Sequence, residues 1–283
     1  MSILSDADIA EIKRAAKGIE TSESPEKVRS SEIHIGAYRV LALTLGRPWC
    51  DQHLRPLGKG NSGFLKRSLA TPEDSLKHAD RVIHLAEYVN RLQGVPNFDR
   101  KIADLRTKGL EETFYELRVA ASLLGRHRLV EFVAPSGLKG ADYDLVARIG
   151  DQLIHTEVKC VTDEPAYAVS KIRNPLKKAA KQLPASGPGA IFLMLNSEWI
   201  MLSGFRGDSE SVVSEILRNN TRINAIFFHW ETWSSQAPFR RDLMLHVFTS
   251  NSPRTPVALI RKLIRPAVLP PTGTTQYINV TYI

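Results

Sequence analysis

The 283 residues are 43% hydrophobic and 24% charged, ordinary globular composition with enough apolar material for one large domain or two small ones. No apolar run reaches the roughly 18 residues of a membrane span, and two cysteines, Cys50 and Cys160, exclude a disulfide framework. The formal net charge of +8 is clustered: Lys171 to Lys181 holds five basic residues and no acid, and no acid follows Asp242. Such clustering suits a polyanion, most commonly nucleic acid.

The segment Met1 to Arg14 carries acids early and no long apolar stretch. No secretory signal is expected, and a reducing cytoplasm is the expected compartment. The first hundred or so residues read as helical. Ser5 or Asp6 caps a helix running to about Lys17. Thr71, Pro72, Glu73 and Asp74 form a second start: a capping hydroxyl, a first-turn proline, then acids near the positive end of the dipole. Leu76, Ala79, Val82, Leu85, Ala86, Val89 and Leu92 follow at helical spacing, and Gly94 and Pro96 end it. Another helical stretch covers about Phe98 to Leu124, with Gly109 as a break.

After Leu124 the period changes. Leu129 to Ala134 reads as a strand and Pro135 to Ala141 as a loop. Tyr143 to Ile149 and Gln152 to Val161 are strands joined by Gly150-Asp151, a hairpin signal. Asn174 caps a helix with Pro175 in its first turn, Leu176, Ala179, Ala180 and Leu183 on its apolar face, and Pro184 at its end. Ala190 to Leu195 is a buried strand, Ser209 to Arg218 a helix, and Ile223 to Trp230 and Leu243 to Thr249 further strands. The proline-broken, basic C-terminal stretch is expected to form a tail that docks on the body.

The chemistry concentrates on the hairpin. Side chains alternate along a strand, so His155, Glu157 and Lys159 share one face, and Ile154, Thr156 and Val158 the other. Asp144 on the neighbouring strand can lie beside Glu157. That face is expected to be wet and to tolerate polar exchange. Two carboxylates and a backbone carbonyl suit a hard cation such as Mg²⁺, with Mn²⁺ as substitute, which takes oxygen ligands and keeps waters. A lysine nearby can orient water or neutralise a phosphate. His155 reads as a neighbour, since magnesium sites seldom use imidazole.

This arrangement resembles the PD-(D/E)XK phosphodiesterase superfamily. Its elements run in the same order over about Gly109 to Leu195: a helix with a glutamate, a strand, a strand with the aspartate, a strand with Glu-x-Lys, then a basic helix and another strand. The resemblance implies an α/β (α+β) fold, a restriction-endonuclease-like mixed sheet flanked by helices, over residues 106–283. Residues 1–105 then form a helical N-terminal region that positions substrate or a partner. It implies a metal-dependent endonuclease, on DNA in preference to RNA, with a role in restriction, defence or repair, and it admits a homodimer. Asp144, Glu157 and the backbone carbonyl of Val158 would hold the metal, with Lys159 as the catalytic lysine. Glu112 or Glu116 would supply the first-helix acid, Glu116 preferred. Lys177, Lys178, Lys181 and Gln182 would face nucleic acid. No proline precedes the aspartate, so Asp142 stays a rival to Asp144. The alternative is a non-catalytic nucleic-acid-binding or interaction module on the same scaffold.

Other patterns carry less. Gly58, Gly60 and Gly63 match a dinucleotide fingerprint without the preceding strand, so a basic loop is expected. Cys50 and His53 have zinc-like spacing but no second pair nearby. Phe227, Phe228, His229 and Trp230 suggest a base-stacking platform, but aromatics in such an apolar strand read as core.

Overall fold

The computed structural model describes residues 3–19, 25–54, 64–65, 72–107, 109–124, 128–138, 140–149, 151–162, 166–234, 240–250 and 274–282. The glycine-rich loop around Gly58 to Gly63 and the turn residue Gly150 lie outside them. The chain divides into two compact units, residues 1–94 with 98–118, and residues 95–97 with 119–283. Among the described residues, no helix is long and apolar enough to cross a membrane.

The first unit is helical. Helix α1 (Asp6–Ile19) starts at a reciprocal cap: the Asp8 amide donates to Ser5 Oγ at 3.2 Å and the Ser5 amide donates to Asp8 Oδ2 at 2.9 Å. Asp8 also accepts from Arg39 at 2.7 Å, which ties α1 to α2 (Pro25–Leu45). These hydrogen bonds, those from Ser5 foremost, hold the Asp8 carboxyl down to about 2. Helices α3 (Arg47–His53), α4 (Pro72–Leu92) and α5 (Phe98–Thr107) follow, and α6 (Leu110–Leu123) begins after the expected break at Gly109. Cys50 is buried on α3, and His53 stacks on Trp49 at 4.7 Å. Burial pushes the Cys50 thiol up to about 11, so it behaves as a small hydrophobe.

The second unit is a seven-stranded mixed sheet in chain order: β1 (Arg128–Phe132), β2 (Leu145–Ile149), β3 (Gln152–Val161), β4 (Gly189–Leu195), β5 (Ile223–Ser234), β6 (Arg240–Thr249) and β7 (Thr274–Tyr282). The β1–β2, β2–β3 and β5–β6 pairs are antiparallel, and the β3–β4, β4–β5 and β6–β7 pairs parallel. Parallel neighbours need crossovers, supplied between β3 and β4 by α7 (Val169–Gln182) and between β4 and β5 by α8 (Ser197–Ile200) and α9 (Phe205–Asn219). One sheet face, with Ile191, Leu193, Ile226, Phe228 and Phe248, packs with Ile172, Leu176, Val212 and Ile216 of α7 and α9. Each of these is nearly fully buried, and such a side chain contributes about 1.5–3 kcal/mol. The opposite face is also buried, with Phe192 stacked on Phe227 at 4.3 Å.

Four expectations need correction. Helix α7 starts at Val169, so Asn174 is not its cap and Pro175 lies inside it. Ile172, fully buried, extends the apolar stripe a turn upstream, and that packing outweighs one missing backbone donor. The C-terminal stretch is not merely a docked tail: Thr274–Tyr282 forms β7, parallel to β6. Finally, α9 begins at Phe205, where Gly204 takes a left-handed φ of 92°, and β5 runs on to Ser234.

Candidate active site

The register of the β2–β3 hairpin fixes which side chains meet. Leu145 pairs with Thr156 and Ala147 with Ile154, and all four are buried on one face. Val146 pairs with His155 and Arg148 with Leu153 on the other. On its far side β3 runs parallel to β4, with Glu157 beside Ile191 and Lys159 beside Leu193. Glu157 and Lys159 therefore stand on the face that α7 covers.

Asp144 lies one residue before β2 and straddles Glu157. Its amide donates to the Thr156 carbonyl at 3.2 Å, and its Oδ2 accepts from the Val158 amide at 2.8 Å. The carboxylate thus replaces the ladder partner that the end of β2 leaves unsupplied. In an extended strand a residue's N–H and C=O point to the same edge, so the Val158 carbonyl faces Asp144 too. Asp144 therefore meets the backbone of β3 on either side of Glu157 from just outside β2, where the sequence reading places it within the strand.

The expectation of a wet face does not hold. Glu157 is 0% exposed and accepts from the Lys159 ammonium, which is itself 21% exposed. The reason is α7, whose apolar side lies over this part of the sheet. A buried carboxylate tolerates such a place only when paired and hydrogen-bonded.

The rival Asp142 has a different task. Its Oδ1 accepts from the Ser136 amide (2.6 Å), the Ser136 hydroxyl (2.9 Å) and the Gly137 amide (3.0 Å). These bonds, those from Ser136 foremost, hold its carboxyl below the usual range. Asp142 shapes the loop that delivers Asp144. Tyr143 meets the His155 ring edge-on at 4.9 Å, and Gly187, with φ +93°, passes close enough that a Cβ there would lie 3.1 Å from the imidazole.

Glu116 and Glu112 lie on α6 in the part assigned to the first unit. Glu116 accepts from Lys101 of α5, whose ammonium is 3.8 Å from Asp104, while Glu112 is exposed. Gln182 ends α7 and donates to the Asp142 carbonyl at 2.9 Å. Lys177 pairs with Glu215 of α9 at 2.9 Å, beside Arg173 at 3.5 Å. Lys178 and Lys181 are exposed on the same helix. The resemblance brings Gln182 toward the site, but its bond to the Asp142 carbonyl and the withdrawal of Lys177 by Glu215 had no signal in the sequence.

Among the described residues, no group of three or more His, Cys, Asp and Glu side chains forms a metal cage. The donor set at hand is two carboxylates and a carbonyl. That composition fits Mg²⁺ or Mn²⁺, which keep waters in their shells, and not a closed zinc site. Comparison with protein-family models, curated proteins and solved structures gives no match for this chain.

The two half-buried histidines of the sheet give a pH dependence. Burial lowers the His155 pKa, opposed by a backbone hydrogen bond at Pro188. Burial also lowers that of His246, with Glu210 raising and Arg206 lowering it in turn. Both folded-state values lie below the unfolded value near 6.5. Their contribution to stability is therefore present above about pH 6.5 and lost as the pH falls through the folded values. Melting temperature is expected to decline on acidification from about pH 7 to 5, and His155→Gln with His246→Gln to flatten that decline. An unchanged slope in the double variant would assign the acid sensitivity to other groups.

Proposed function

We propose that this protein is a metal-dependent nuclease with a restriction-endonuclease-like core, acting on DNA in preference to RNA. The observation that carries the reading is the placement of Asp144 around Glu157, with Lys159 on the same face and a basic helix ending against the aspartate loop. Asp144, Glu157 and the Val158 carbonyl would hold Mg²⁺ or Mn²⁺, which in such sites stabilises charge on a phosphate and acidifies water. Lys159, partly exposed, is able to face that phosphate while still holding Glu157. The strand directions around β2, β3 and β4 also suit the resemblance noted in the sequence. The test is divalent-dependent cleavage of mixed single- and double-stranded DNA and RNA, with Asp144→Asn as control.

The second reading, a non-catalytic binding module, draws on the burial of Glu157: a Glu157–Lys159 pair is also compatible with a purely architectural role. The same assay separates them, because a binding module leaves every substrate intact.

The basic face of α7 supplies a further test. Lys178 and Lys181 project to solvent, whereas Lys177 is engaged by Glu215. Each lost phosphate contact lowers the salt slope of log K by about 0.9 on duplex DNA. Lys178→Ala with Lys181→Ala is expected to reduce the slope by up to about twice that amount, and Lys177→Ala by less. Unchanged affinity and slope in the double variant would make this helix face a solvated surface only.

A further inference from the structure

We propose that Gln182 is the positioning residue for the Asp144 carboxylate, acting through the backbone carbonyl of Asp142. The inference rests on reading Asp144 and Glu157 as a cation site. Among the described residues upstream of Asp144, two side-chain hydrogen-bond anchors hold the segment, beside the packing of Tyr143 on His155 and the core. One is internal, the Asp142 Oδ1 bonds to Ser136 and Gly137. They fold the loop on itself but do not fix it to the body. The other is Gln182, whose Nε2 donates to the Asp142 carbonyl at 2.9 Å, two residues before Asp144.

The contact is directional. A carbonyl only accepts, so the amide nitrogen of Gln182 must face it, and Oε1 then turns into the protein, where it is buried. Close packing surrounds the anchor. Gly140 holds φ +80°, and a Cβ there would lie 3.6 Å from the Leu183 carbonyl, just past the end of α7. Tyr143 packs on the apolar core that α7 shares with the sheet. Helix α7 is fixed by Ile172, Leu176, Ala179 and Leu183, so its last residue is a rigid post. Asp144 has only a short reach from that post to the Val158 amide. Without the donor, the loop keeps its internal fold but shifts at its junction with the hairpin, and Asp144 loses its fixed place at the Val158 amide.

Gln182→Met is the test, because it keeps length and helix propensity and removes the donating amide. Residues that orient metal ligands typically change metal affinity by about 10- to 100-fold. Mn²⁺ binding to the full chain, read by electron paramagnetic resonance or calorimetry without substrate, is expected to weaken by about that factor. The melting temperature of the metal-free variant stays close to wild type, and Asn174→Ala, exposed on the same helix, binds Mn²⁺ as wild type does. Gln182→Glu, which keeps length but carries only acceptors, reproduces the loss and serves if the methionine variant does not fold. Wild-type Mn²⁺ affinity in a folded donor-free variant overturns the positioning role and leaves the cation site standing. No Mn²⁺ binding by wild type, or equal binding by Asp144→Asn, overturns the cation site and the positioning role with it.

Discussion

Lys159→Met is expected to destabilise the protein by about 2–4 kcal/mol, more than Glu157→Gln and more than the two changes combined. Glu157 has no exposed surface and holds the Lys159 ammonium. Removing one partner of a buried pair typically costs about 3–5 kcal/mol, because the other charge stays desolvated without its counter-charge. Lys159 keeps 21% of its side chain in solvent, so the pair is partly screened and the lower range applies. Glu157→Gln removes the charge that suffers most, and the remaining ammonium can turn toward water. In the double variant no charge is left buried, and the methionine stem fills the lysine's path. Denaturant unfolding of the four proteins measures the cycle. Additive effects would mean the two charges do not depend on each other, contrary to their contact.

The hairpin was legible before any coordinates, since alternation in residues 153–159 and a Gly-Asp turn place Glu157 and Lys159 together on one face. What alternation cannot give is which face is dry. In an antiparallel hairpin one face usually meets water, but β3 also has a parallel partner in β4, whose crossover helix must lie on the sheet. The site therefore sits under α7. The start of α7 departs from the local pattern for a related reason: Asn174-Pro175 is a strong local start signal, yet Ile172 has apolar neighbours to bury against, and tertiary packing prevails. Strand β7 carries a strand-forming pattern of its own. Thr274, Thr275, Tyr277, Ile278, Val280, Thr281 and Tyr282 are strand formers, masked by the proline-rich run before them.

The choice between Asp142 and Asp144 also lay beyond the string. Both are aspartates of one short segment, and either spacing reads as family-like. The coordinates separate them by partner: three donors from the loop occupy one oxygen of Asp142, whereas Asp144 reaches the backbone of β3. Three donors on one oxygen tie Asp142 to the loop, whereas a single amide ties Asp144 to β3, which is why Asp144 is the proposed ligand. Asp142→Asn is thus a change to loop order, and Asp144→Asn a change to the site.

That difference makes Asp144→Asn the cleanest probe of catalysis. Its carboxamide oxygen still accepts from the Val158 amide, so the bond that anchors the residue survives. The loop stays in place, while the negative charge at the Val158 amide is lost. If the proposed nuclease reading is right, single-turnover cleavage falls by roughly 10²–10³-fold or more, the scale seen when one electrostatic contact to transition-state charge is removed. Binding of the same DNA in Ca²⁺, which supports binding better than hydrolysis in sites of this kind, changes far less, because α7 would provide the phosphate contacts on this reading. Lys159→Gln is expected to show the same split, with rate lost and affinity kept, since its charge matters most as the phosphate becomes more negative. It also disturbs Glu157, so its rate is to be compared only after its fold is verified. Cleavage that persists in Asp144→Asn would place the chemistry elsewhere on the molecule. Wild-type protein that cuts neither DNA nor RNA with any divalent cation would leave the binding module as the function of this fold.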